Sequence, residues 1–477
     1  MAQNKYDVIV IGMGPSGIFL AYELIELKKA KNILLIDQGK RVEDRACPLE
    51  KVGKCVKCKP YCNITSGFSG AGAFSDGKLS LYNDEDDDIY VGGILHEYIG
   101  VEKTKRLIDY TDAIYLKFGA DPKLEGVDYR EQVAKIKEKS KKQGINLINI
   151  PIRHLGTERA HELYKKLESH IEENGVNVMF ETEVTDLIVE DKTIKGVKIT
   201  KNMGKVEELI YSDNVVMAVG RKGANWLSDM CEKHDVDTKS GCVDIGVRYE
   251  LPDSVMQEIN KYMYEGKFIG RPYPFKDKVR TFCQNPSGFV SSEVYDNNLN
   301  LVNGHSYKDR KSKNTNLAIL VSHNFTYPFN KPIEYGRNVA KNLNKLGQGN
   351  VLVQRLGDIY RGKRTWQDEL DKNSVVPTLK SAVPGDITFA IGYRTMTDIL
   401  QFIREMDKIV DGFAHPDNLL YAPEIKFYSN KIDIDENFET SIKGLYSIGD
   451  GGGMTRGLMM ASCAGVQMAR NLDKILK

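Results

Sequence analysis

The feature that most constrains the fold is a glycine-rich turn near the start of the chain. Residues 6–11 form an apolar run without a breaker, which predicts a buried parallel strand. The turn GMGPSG follows at residues 12–17, and apolar residues then recur at helical spacing as far as Leu27. Residues 32–36 predict a second strand, which ends at Asp37.

This order of strand, turn, helix, strand and acid is typical of a dinucleotide site. Gly12 and Gly14 would let the backbone turn and approach a pyrophosphate, and Gly17 would let the helix pack closely on the strand. The helix N-terminus would present free N–H groups to the phosphates. Asp37 follows at the distance where a carboxylate can accept from ribose hydroxyls. The alternative is a tight glycine turn in an ordinary α/β protein.

Length and composition narrow the class of protein. A chain of 477 residues exceeds one domain core, and 41% hydrophobic with 28% charged residues is typical of a soluble globular protein. The formal charge of +1 does not indicate that the protein binds a polyanion, so we expect no nucleic-acid partner. No apolar stretch reaches the ~18 residues of a membrane span. The first strand begins without a signal peptide, which predicts a cytoplasmic location.

Four cysteines fall in a lysine-rich loop over residues 47–62. They are Cys47, Cys55, Cys58 and Cys62, with the spacing C-x7-C-x2-C-x3-C. Four thiolates could close a zinc site or hold an iron–sulfur cluster, and nearby lysines would favour the thiolate forms. The spacing matches neither the ferredoxin run nor paired zinc-ribbon motifs. A redox dithiol and a loop of free thiols are the alternatives.

The next segment, residues 63–82, is rich in glycine and serine. Its small residues would let the backbone run against a planar ring, and six residues would supply contacts: Gly70, Ala71, Gly72, Ser75, Asp76 and Lys78. Residues 83–147 predict a helical insertion. A strand is predicted over residues 146–152, a turn over 153–157 and a helix over 157–173.

A strand meander over residues 183–200 precedes a buried strand that ends at Gly220, an order typical of two-dinucleotide-domain flavoproteins. Residues 241–436 alternate as strands do and include predicted helices over 332–346 and 395–410, so we assign them to a mixed, largely β substrate domain.

The C-terminal end returns to the dinucleotide domain. Residues 444–450 predict a strand ending in Gly449 and Asp450, and a helix then opens near Gly457. The Asp450 carboxylate could accept from a ribityl hydroxyl. The helix would aim its positive end at the pyrimidine edge of a flavin, where reduction places negative charge. This arrangement favours FAD over NAD as the cofactor.

At this point the chain resembles the NAD(FAD)-utilising dehydrogenase family of the glutathione-reductase-like flavoprotein superfamily. The stretches that carry the resemblance are VIVIGMGPSG, GFSGAGAFSDGKL, RHLGT, VVMAVGRKG, VDIGVRYELP, VNGHSY, PTLKSAVPGDI and SIGDGGGMTRGLMMAS. They keep their order over nearly the whole length. One departure is Pro423-Glu424-Ile425-Lys426, where the family pattern has Glu-Thr-Arg, so an anion-binding role does not carry over to this strand.

The resemblance implies an α/β fold with a Rossmann-like FAD-binding domain of glutathione-reductase type and an inserted substrate domain. The expected parts are residues 1–240, 241–436 and 437–477. The residues expected to bind FAD are Gly12, Gly14, Pro15, Ser16, Gly17, Asp37, Gln38, Gly70, Ala71, Gly72, Ser75, Asp76, Lys78, Val184, Ala218, Gly220, Gly449, Asp450, Gly457, Leu458 and Met459. Val184 would meet the adenine through its backbone.

The candidates for proton transfer or substrate anchoring are His305, Arg456 and Lys78. His305 could equally be satisfied within a loop, and Arg456 could pin the start of a helix. The expected activity is an FAD-dependent oxidoreductase acting on an unsaturated or otherwise redox-active small molecule. Electrons would come from a cysteine-held cluster, a ferredoxin-like donor or transiently bound NAD(P)H, since no second GxGxxG is present. An RNA-modification flavoprotein and a non-catalytic flavin-binding module are the alternatives.

Overall fold

The computed structural model describes residues 5–28, 30–48, 58–74, 77–82, 92–201, 204, 206–239, 241–263, 266–295, 299–306, 310–427 and 431–476. The chain forms two compact units. The first unit comprises Met1–Leu124, Pro151–Lys239 and Ser429–Lys477, and the second comprises Glu125–Ile150 and Ser240–Tyr428. Part of the stretch predicted as a helical insertion therefore lies in the second unit. The domain limits drawn from the sequence stay a prediction.

The strands of the described chain are β1 (Val8–Ile11), β2 (Ile33–Ile36), β3 (Lys78–Ser80), β4 (Ile145–Asn149), β5 (Ile152–His154), β6 (Asn177–Met179), β7 (Thr182–Glu190), β8 (Thr193–Lys201), β9 (Val206–Tyr211), β10 (Val215–Met217), β11 (Thr238–Lys239), β12 (Cys242–Pro252), β13 (Gly266–Gly270), β14 (Val279–Asn285), β15 (Phe289–Tyr295), β16 (Leu299–His305), β17 (Asn314–Asn324), β18 (Leu352–Arg355), β19 (Val383–Pro384), β20 (Leu419–Phe427), β21 (Lys431–Ile432) and β22 (Leu445–Ser447).

The α-helices are α1 (Pro15–Leu27), α2 (Leu95–Ile99), α3 (Val101–Lys117), α4 (Arg130–Lys141), α5 (Thr157–Glu173), α6 (Ala224–Lys233), α7 (Asp253–Tyr262), α8 (Pro332–Leu346), α9 (Leu356–Tyr360), α10 (Gln367–Asp371), α11 (Tyr393–Asp407) and α12 (Leu458–Ile475). None of these helices combines the length and apolar character that crossing a bilayer requires.

The first unit contains a five-stranded parallel sheet in the order β22-β10-β1-β2-β6. Strands β1 and β2 are completely buried, which explains their continuous apolar sequence. A three-stranded antiparallel sheet, β7-β8-β9, confirms the predicted meander. Its first turn has positive φ angles at Asp191 (46°) and Lys192 (55°), as a two-residue hairpin turn of type I′ requires.

The predicted strand over residues 146–152 is wrong in its extent. The chain forms two strands there, and β4 pairs with β13 in the second unit whereas β5 pairs with β3 in the first. The predicted turn at residues 153–157 is also wrong, because Arg153 and His154 belong to β5. The chain returns from the second unit to the first at Pro151, which separates the two strands. The apolar run alone does not reveal this break.

The second unit is built on an eight-stranded sheet in the order β19-β18-β20-β12-β17-β14-β13-β4. One face of β12 contributes alternate apolar residues to a core that also contains Ile399, Phe402 and Ile403 of α11. The opposite face of β12 carries Asp244, Arg248 and Glu250, and these charged side chains are also buried. The chain is therefore a mixed α/β protein with a sheet-rich second unit.

Candidate functional site

In the glycine turn after β1, two positions have no room for a side chain because the backbone of neighbouring residues is too close. A third position has free space around it. Gly12 has φ of 105°, and a Cβ there would lie 2.8 Å from the Ala218 carbonyl oxygen. A Cβ on Gly17 would lie 2.1 Å from the Gly12 carbonyl oxygen. A Cβ on Gly14, by contrast, would have no atom of the described residues within 4 Å. The turn thus keeps free space where a pyrophosphate would approach.

Helix α1 begins directly after this space. Gly14 is its N-cap, Pro15 is the first helical residue, and no described side chain caps the helix. Ser16 and Gly17 belong to the first turn of the helix. The N–H groups of a first turn have no hydrogen-bond acceptor within the helix itself. Pro15 has no N–H to leave unsatisfied. The helix therefore offers donors and a positive dipole end to an anion beside Gly14.

Asp37 connects this turn to the next loop. Its Oδ2 accepts the Met13 N–H at 2.9 Å, and its Oδ1 accepts the N–H groups of Gly39 and Gly67, both at 2.8 Å. A carboxylate offers about four acceptor positions, so the three donors of the described residues leave one position on Oδ2 for a hydroxyl. Next to it, Gln38 donates from Nε2 to the Ser66 hydroxyl at 3.2 Å.

The glycine-rich segment after the cysteines docks on the same turn. The Ser69 N–H donates to the Met13 carbonyl at 2.8 Å. A Cβ on Gly70 would lie 3.5 Å from the Cα of Gly14, so Gly70 borders the open space. Gly72 packs closely against Tyr164, because a Cβ on Gly72 would lie 2.8 Å from the hydroxyl oxygen of Tyr164. Ala71 lies between these glycines and is exposed.

One buried arginine, which no sequence pattern marks, organises this segment. Arg45 is 4% exposed. Its Nε donates to the Asn63 carbonyl at 2.7 Å, its Nη2 to those of Ile64 (2.8 Å) and Gly70 (2.5 Å), and its Nη1 to the Ser69 hydroxyl (3.0 Å) and the Phe68 carbonyl. Burial lowers the pKa of Arg45 to about 10. No spacing rule in the sequence identifies such a residue.

The C-terminal glycine turn meets the N-terminal one within the first unit. A Cβ on Gly449 would lie 3.1 Å from the Ser16 hydroxyl oxygen, and one on Gly465 would lie 2.2 Å from the Ser16 carbonyl oxygen. Helices α1 and α12 are thus in backbone contact at this glycine. The structure brings together the predicted residues of both chain ends, as one cofactor site spanning them requires.

Asp450 sits at the start of this last turn. Its carboxylate accepts the Thr455 hydroxyl at 2.8 Å and the Gly457 N–H at 3.3 Å. Burial raises the pKa of Asp450, while the Thr455 hydrogen bond and the charge of Arg221 oppose that rise. Gly457 is the N-cap of α12, again without a side-chain cap among the described residues. Leu458 and Met459 form the first turn of this helix, and Met459 is buried.

The remaining predicted cofactor residues have mixed positions. Ala218 donates its N–H to the Ile11 carbonyl at 2.8 Å and so lies beside Gly12. Gly220 has no described atom within 4 Å of its Cβ position. Val184 is buried in β7. Ser75 and Asp76 lie outside the described residues.

The three catalytic candidates do not share one unit. Lys78 lies in β3, in register with His154, and Arg456 is exposed just before α12, so both belong to the first unit. His305 ends β16 in the second unit and is in register with Phe289. Their roles stay a prediction.

The cysteine prediction is tested only in part. Cys47, Cys58 and Cys62 have free thiols, and Cys55 lies outside the described residues. Within the described ranges, no group of three or more His, Cys, Asp or Glu residues could hold a metal ion. Burial acts to raise the pKa of Cys62, but hydrogen bonds from Ile64 and Thr65 outweigh it and lower the pKa. The zinc or iron–sulfur site stays a prediction.

The second unit contains a buried ion pair on the polar face of its sheet. Arg248 and Glu424 are both fully buried, and two hydrogen bonds of 3.0 and 3.1 Å join them. Lys426, two residues along β20, contacts Glu424 at 2.7 Å. Desolvation would raise the pKa of Glu424, but these two cations lower it. Glu424 therefore serves as a buried internal partner for Arg248.

The glycine of the VNGHSY stretch belongs to the same cluster. A Cβ on Gly304 would lie 2.3 Å from Asn285 Nδ2, 2.4 Å from Asn316 Oδ1 and 2.7 Å from Arg248 Nη1. Only a glycine lets β16 approach the guanidinium this closely. The motif therefore has a packing role at Gly304, next to the candidate His305.

One comparison with known proteins bears on the cofactor. Residues 243–426 match the family described as "FAD-dependent protein, C-terminal domain-like". A protein of Clostridium beijerinckii (strain ATCC 51743 / NCIMB 8052), described as "Uncharacterized protein", is 24% identical over 505 residues, covering 98% of this chain and 81% of that protein.

Similar solved structures include L-proline dehydrogenase from P. horikoshii, with 14% identity, a TM-score of 0.40 and coverage of 100% of this chain and 95% of that one. A formate oxidase has 12% identity and a TM-score of 0.46, with 100% and 99% coverage. The FrdA chain of E. coli quinol fumarate reductase has 13% identity and a TM-score of 0.39, with 99% and 71% coverage. The family match over residues 243–426 supports a FAD-dependent protein.

Proposed function

We propose that the protein is an FAD-dependent oxidoreductase of glutathione-reductase type whose first unit holds the cofactor. The observation that carries the proposal is the packing of the start of α1 against the C-terminal glycine turn and helix, through the contacts of Gly449 and Gly465 with Ser16, in a unit whose two helix starts at Gly14 and Gly457 have no side-chain cap among the described residues. Two such N-termini on one unit suit a ligand with a pyrophosphate and a second electron-rich group. The parallel sheet and the β7-β8-β9 meander support the same class.

The residues present fit FAD. The pyrophosphate would occupy the open space at Gly14, and the free acceptor position of Asp37 would take a ribose hydroxyl of the adenosine. Asp450 would accept from the ribityl chain, and the N-terminus of α12 would face the pyrimidine edge. FAD supplies the hydride and electron chemistry when it is bound, and the chain supplies orientation and electrostatics.

The substrate in this proposal is an unsaturated or otherwise redox-active small molecule. His305, Arg456 and Lys78 are the residues proposed to anchor it or to move a proton. Transiently bound NAD(P)H or a ferredoxin-like protein would provide electrons. A metal or cluster on Cys47, Cys55, Cys58 and Cys62 is part of the proposal only if metal analysis of the anaerobically purified protein finds zinc or iron.

The sharpest test of the cofactor site uses Gly14. Gly14→Ala adds a methyl group to a space that no described atom fills, so the free protein should keep its melting temperature. A bound pyrophosphate would lose that space, and we expect FAD affinity to fall on the order of tenfold or more. Gly392→Ala is the matched control, because its Cβ would meet only the Tyr335 hydroxyl at 3.7 Å.

The measurements are flavin absorbance and titration with added FAD. Colourless protein that takes up no FAD, or equal affinity in Gly14→Ala and wild type, contradicts the proposal. Anaerobic bleaching of the flavin by NADH, NADPH or a reduced ferredoxin supports an enzyme. A flavin that none of these reduces would identify a flavin-binding module instead.

A further inference from the structure

Three short segments of the second unit, which we call loops although the third ends in the first two residues of α11, combine aromatic and basic residues. They are RPYPFKDK at residues 271–278, FTYPFNK at 325–331 and FAIGYR at 389–394. The first two share Tyr-Pro-Phe followed closely by lysine. The loops lie far apart in sequence, so their likeness has no meaning unless the fold brings them together.

The fold does bring them together. The rings of Phe275 and Tyr393 meet edge to face with centroids 6.0 Å apart, which joins the first and third loops. The Thr395 hydroxyl, directly after the third loop, hydrogen-bonds His323 Nε2 at 3.0 Å. His323 in turn stacks on Phe325 of the second loop, with ring centroids 6.5 Å apart. We call these three loops the aromatic–basic surface.

Four aromatic side chains on the aromatic–basic surface project into solvent. Their exposed fractions are 94% for Tyr327, 82% for Phe389, 79% for Tyr393 and 74% for Tyr273. Exposed aromatic groups gathered on one surface mark an interaction site more often than scattered ones do. Beneath them, Phe325 packs against Tyr335 and gives the second loop a firm base, with ring centroids 4.8 Å apart.

The charge of this surface differs from that of the whole chain. The three loops hold five basic residues, Arg271, Lys276, Lys278, Lys331 and Arg394, but a single acidic one, Asp277. All five basic side chains are exposed, whereas Asp277 is half-buried and binds Arg394 through two hydrogen bonds of 2.5 and 2.7 Å. Five basic residues against one acidic residue give the three segments a net charge of +4, in a chain whose formal charge is +1.

We propose that the aromatic–basic surface docks the protein on an anionic lipid bilayer. Tyrosine rings prefer the headgroup level of a membrane, and lysine and arginine are attracted to anionic lipids. Binding to single-stranded nucleic acid would use free ring faces for base stacking. Here the guanidinium of Arg394 already covers the Phe275 ring, 5.1 Å from its centroid. Anionic headgroups account for the basic side chains of the surface, and the headgroup level of the bilayer accounts for its exposed tyrosines.

The test is co-sedimentation of the full-length protein with lipid vesicles. Vesicles of phosphatidylcholine mixed with phosphatidylglycerol should bind the protein, and vesicles of phosphatidylcholine alone should bind it much less. Raising the salt concentration should weaken binding, because exposed charges are screened. Failure to bind the mixed vesicles overturns the proposal.

Variants assign the binding to this surface. Tyr327→Ser combined with Phe389→Ser should reduce partitioning on the order of tenfold, because both rings lose their place at the headgroups. Lys276→Gln and Lys331→Gln should each reduce it about fivefold. The matched control is Leu209→Ser in the first unit, which removes a side chain that is 48% exposed and should change nothing.

Two outcomes contradict the assignment. Vesicle binding that is unchanged in the aromatic and lysine variants would place the contact elsewhere. The second outcome is that the protein binds a labelled single-stranded oligonucleotide and not vesicles, and that these variants lose the oligonucleotide binding. The surface would then be a nucleic-acid binding site. The exposed positions should leave the melting temperature unchanged, and Tyr327→Ser alone serves as the mildest variant.

Discussion

Two buried arginines, one in each unit, solve the same physical problem in opposite ways. Arg45 is 4% exposed and donates to four carbonyl groups and one hydroxyl, and burial lowers its pKa to about 10. Arg248 is completely buried, and although burial would lower its pKa, the charge of Glu424 raises it above the ordinary value. Backbone dipoles satisfy one guanidinium, and a carboxylate satisfies the other.

The difference shows what each arginine does. The hydrogen-bond partners of Arg45 lie in residues 63–70 and its guanidinium covers the Phe74 ring, so this side chain gives shape to one segment that borders the candidate cofactor site. Arg248 contacts Glu424, 176 residues away, and also the Cys283 carbonyl on β14. It therefore ties strands of the eight-stranded sheet together. Removing Arg45 should therefore mainly reduce FAD affinity, whereas removing Arg248 should mainly reduce the stability of the fold.

The largest expected effect comes from Arg248. Arg248→Met leaves Glu424 buried with Lys426 as the remaining cation among the described residues, and we expect a loss of about 3–5 kcal/mol of stability. Thermal unfolding followed by circular dichroism measures it. The double variant Arg248→Met/Glu424→Leu should recover part of the loss, because the buried carboxylate is gone and only Lys426, whose side chain is 19% exposed, loses its partner. A double variant as unstable as the single one would show that packing, not charge, holds this site.

A smaller and more local effect is expected for Arg45. Arg45→Met leaves several loop carbonyls without their donor, which should cost about 2 kcal/mol and reduce FAD affinity roughly tenfold. Arg45→Lys should rescue little, because one ammonium cannot reach carbonyls on both ends of the loop. FAD titration and melting temperature measure the two effects. If FAD affinity is unchanged in both variants, Arg45 does not shape the cofactor site.

The same contrast between local and distant partners explains what the sequence could predict. The glycine turn, Asp37 and the closing helix are local patterns, and the structure confirms strands and helices at β1, α1, β2, α5 and α8 close to their predicted bounds. The Arg248–Glu424 pair joins positions that no local pattern relates. In the sequence, nothing links Glu424 to Arg248, and the pair becomes visible only in the sheet.

The missed features share one physical cause. Arg45 follows a short 3-10 turn at Val42–Asp44 and carries no periodic signal, although the structure gives it five hydrogen bonds. The apolar run at 146–152 predicts one strand because periodicity records burial and not which sheet a strand joins. Tertiary partners decide both cases.

Asp398 is a buried carboxylate whose neighbouring arginine binds another residue, and its titration should make the stability of the protein depend on pH. Asp398 is fully buried in α11, and burial together with the neighbouring Asp277 raises its pKa to about 7. Arg394 binds Asp277 instead. The unfolded chain releases this proton near pH ~4, so the stability that the proton provides is complete below that pH and is lost as the pH rises through about 7.

The variant Asp398→Asn tests this directly. An amide has no proton to lose, so the melting temperature should change less between about pH 5 and 8 than it does in the wild type. The exposed Asp368 provides the control, because Asp368→Asn should leave the wild-type slope intact. A slope that Asp398→Asn does not alter would assign the pH dependence to other groups.

The smallest effect is expected where burial is absent. Arg159 contacts Asp121 at 2.5 Å, but the two side chains are 48% and 37% exposed. Water solvates both charges whether or not they pair, so Arg159→Gln should move the melting temperature by no more than roughly 2 °C, and less at high salt. A loss as large as that of Arg248→Met would contradict the view that desolvation, and not the presence of an ion pair, makes the Arg248–Glu424 pair costly to break. Measuring both variants in one buffer makes burial the main variable, since each change removes one guanidinium from one carboxylate.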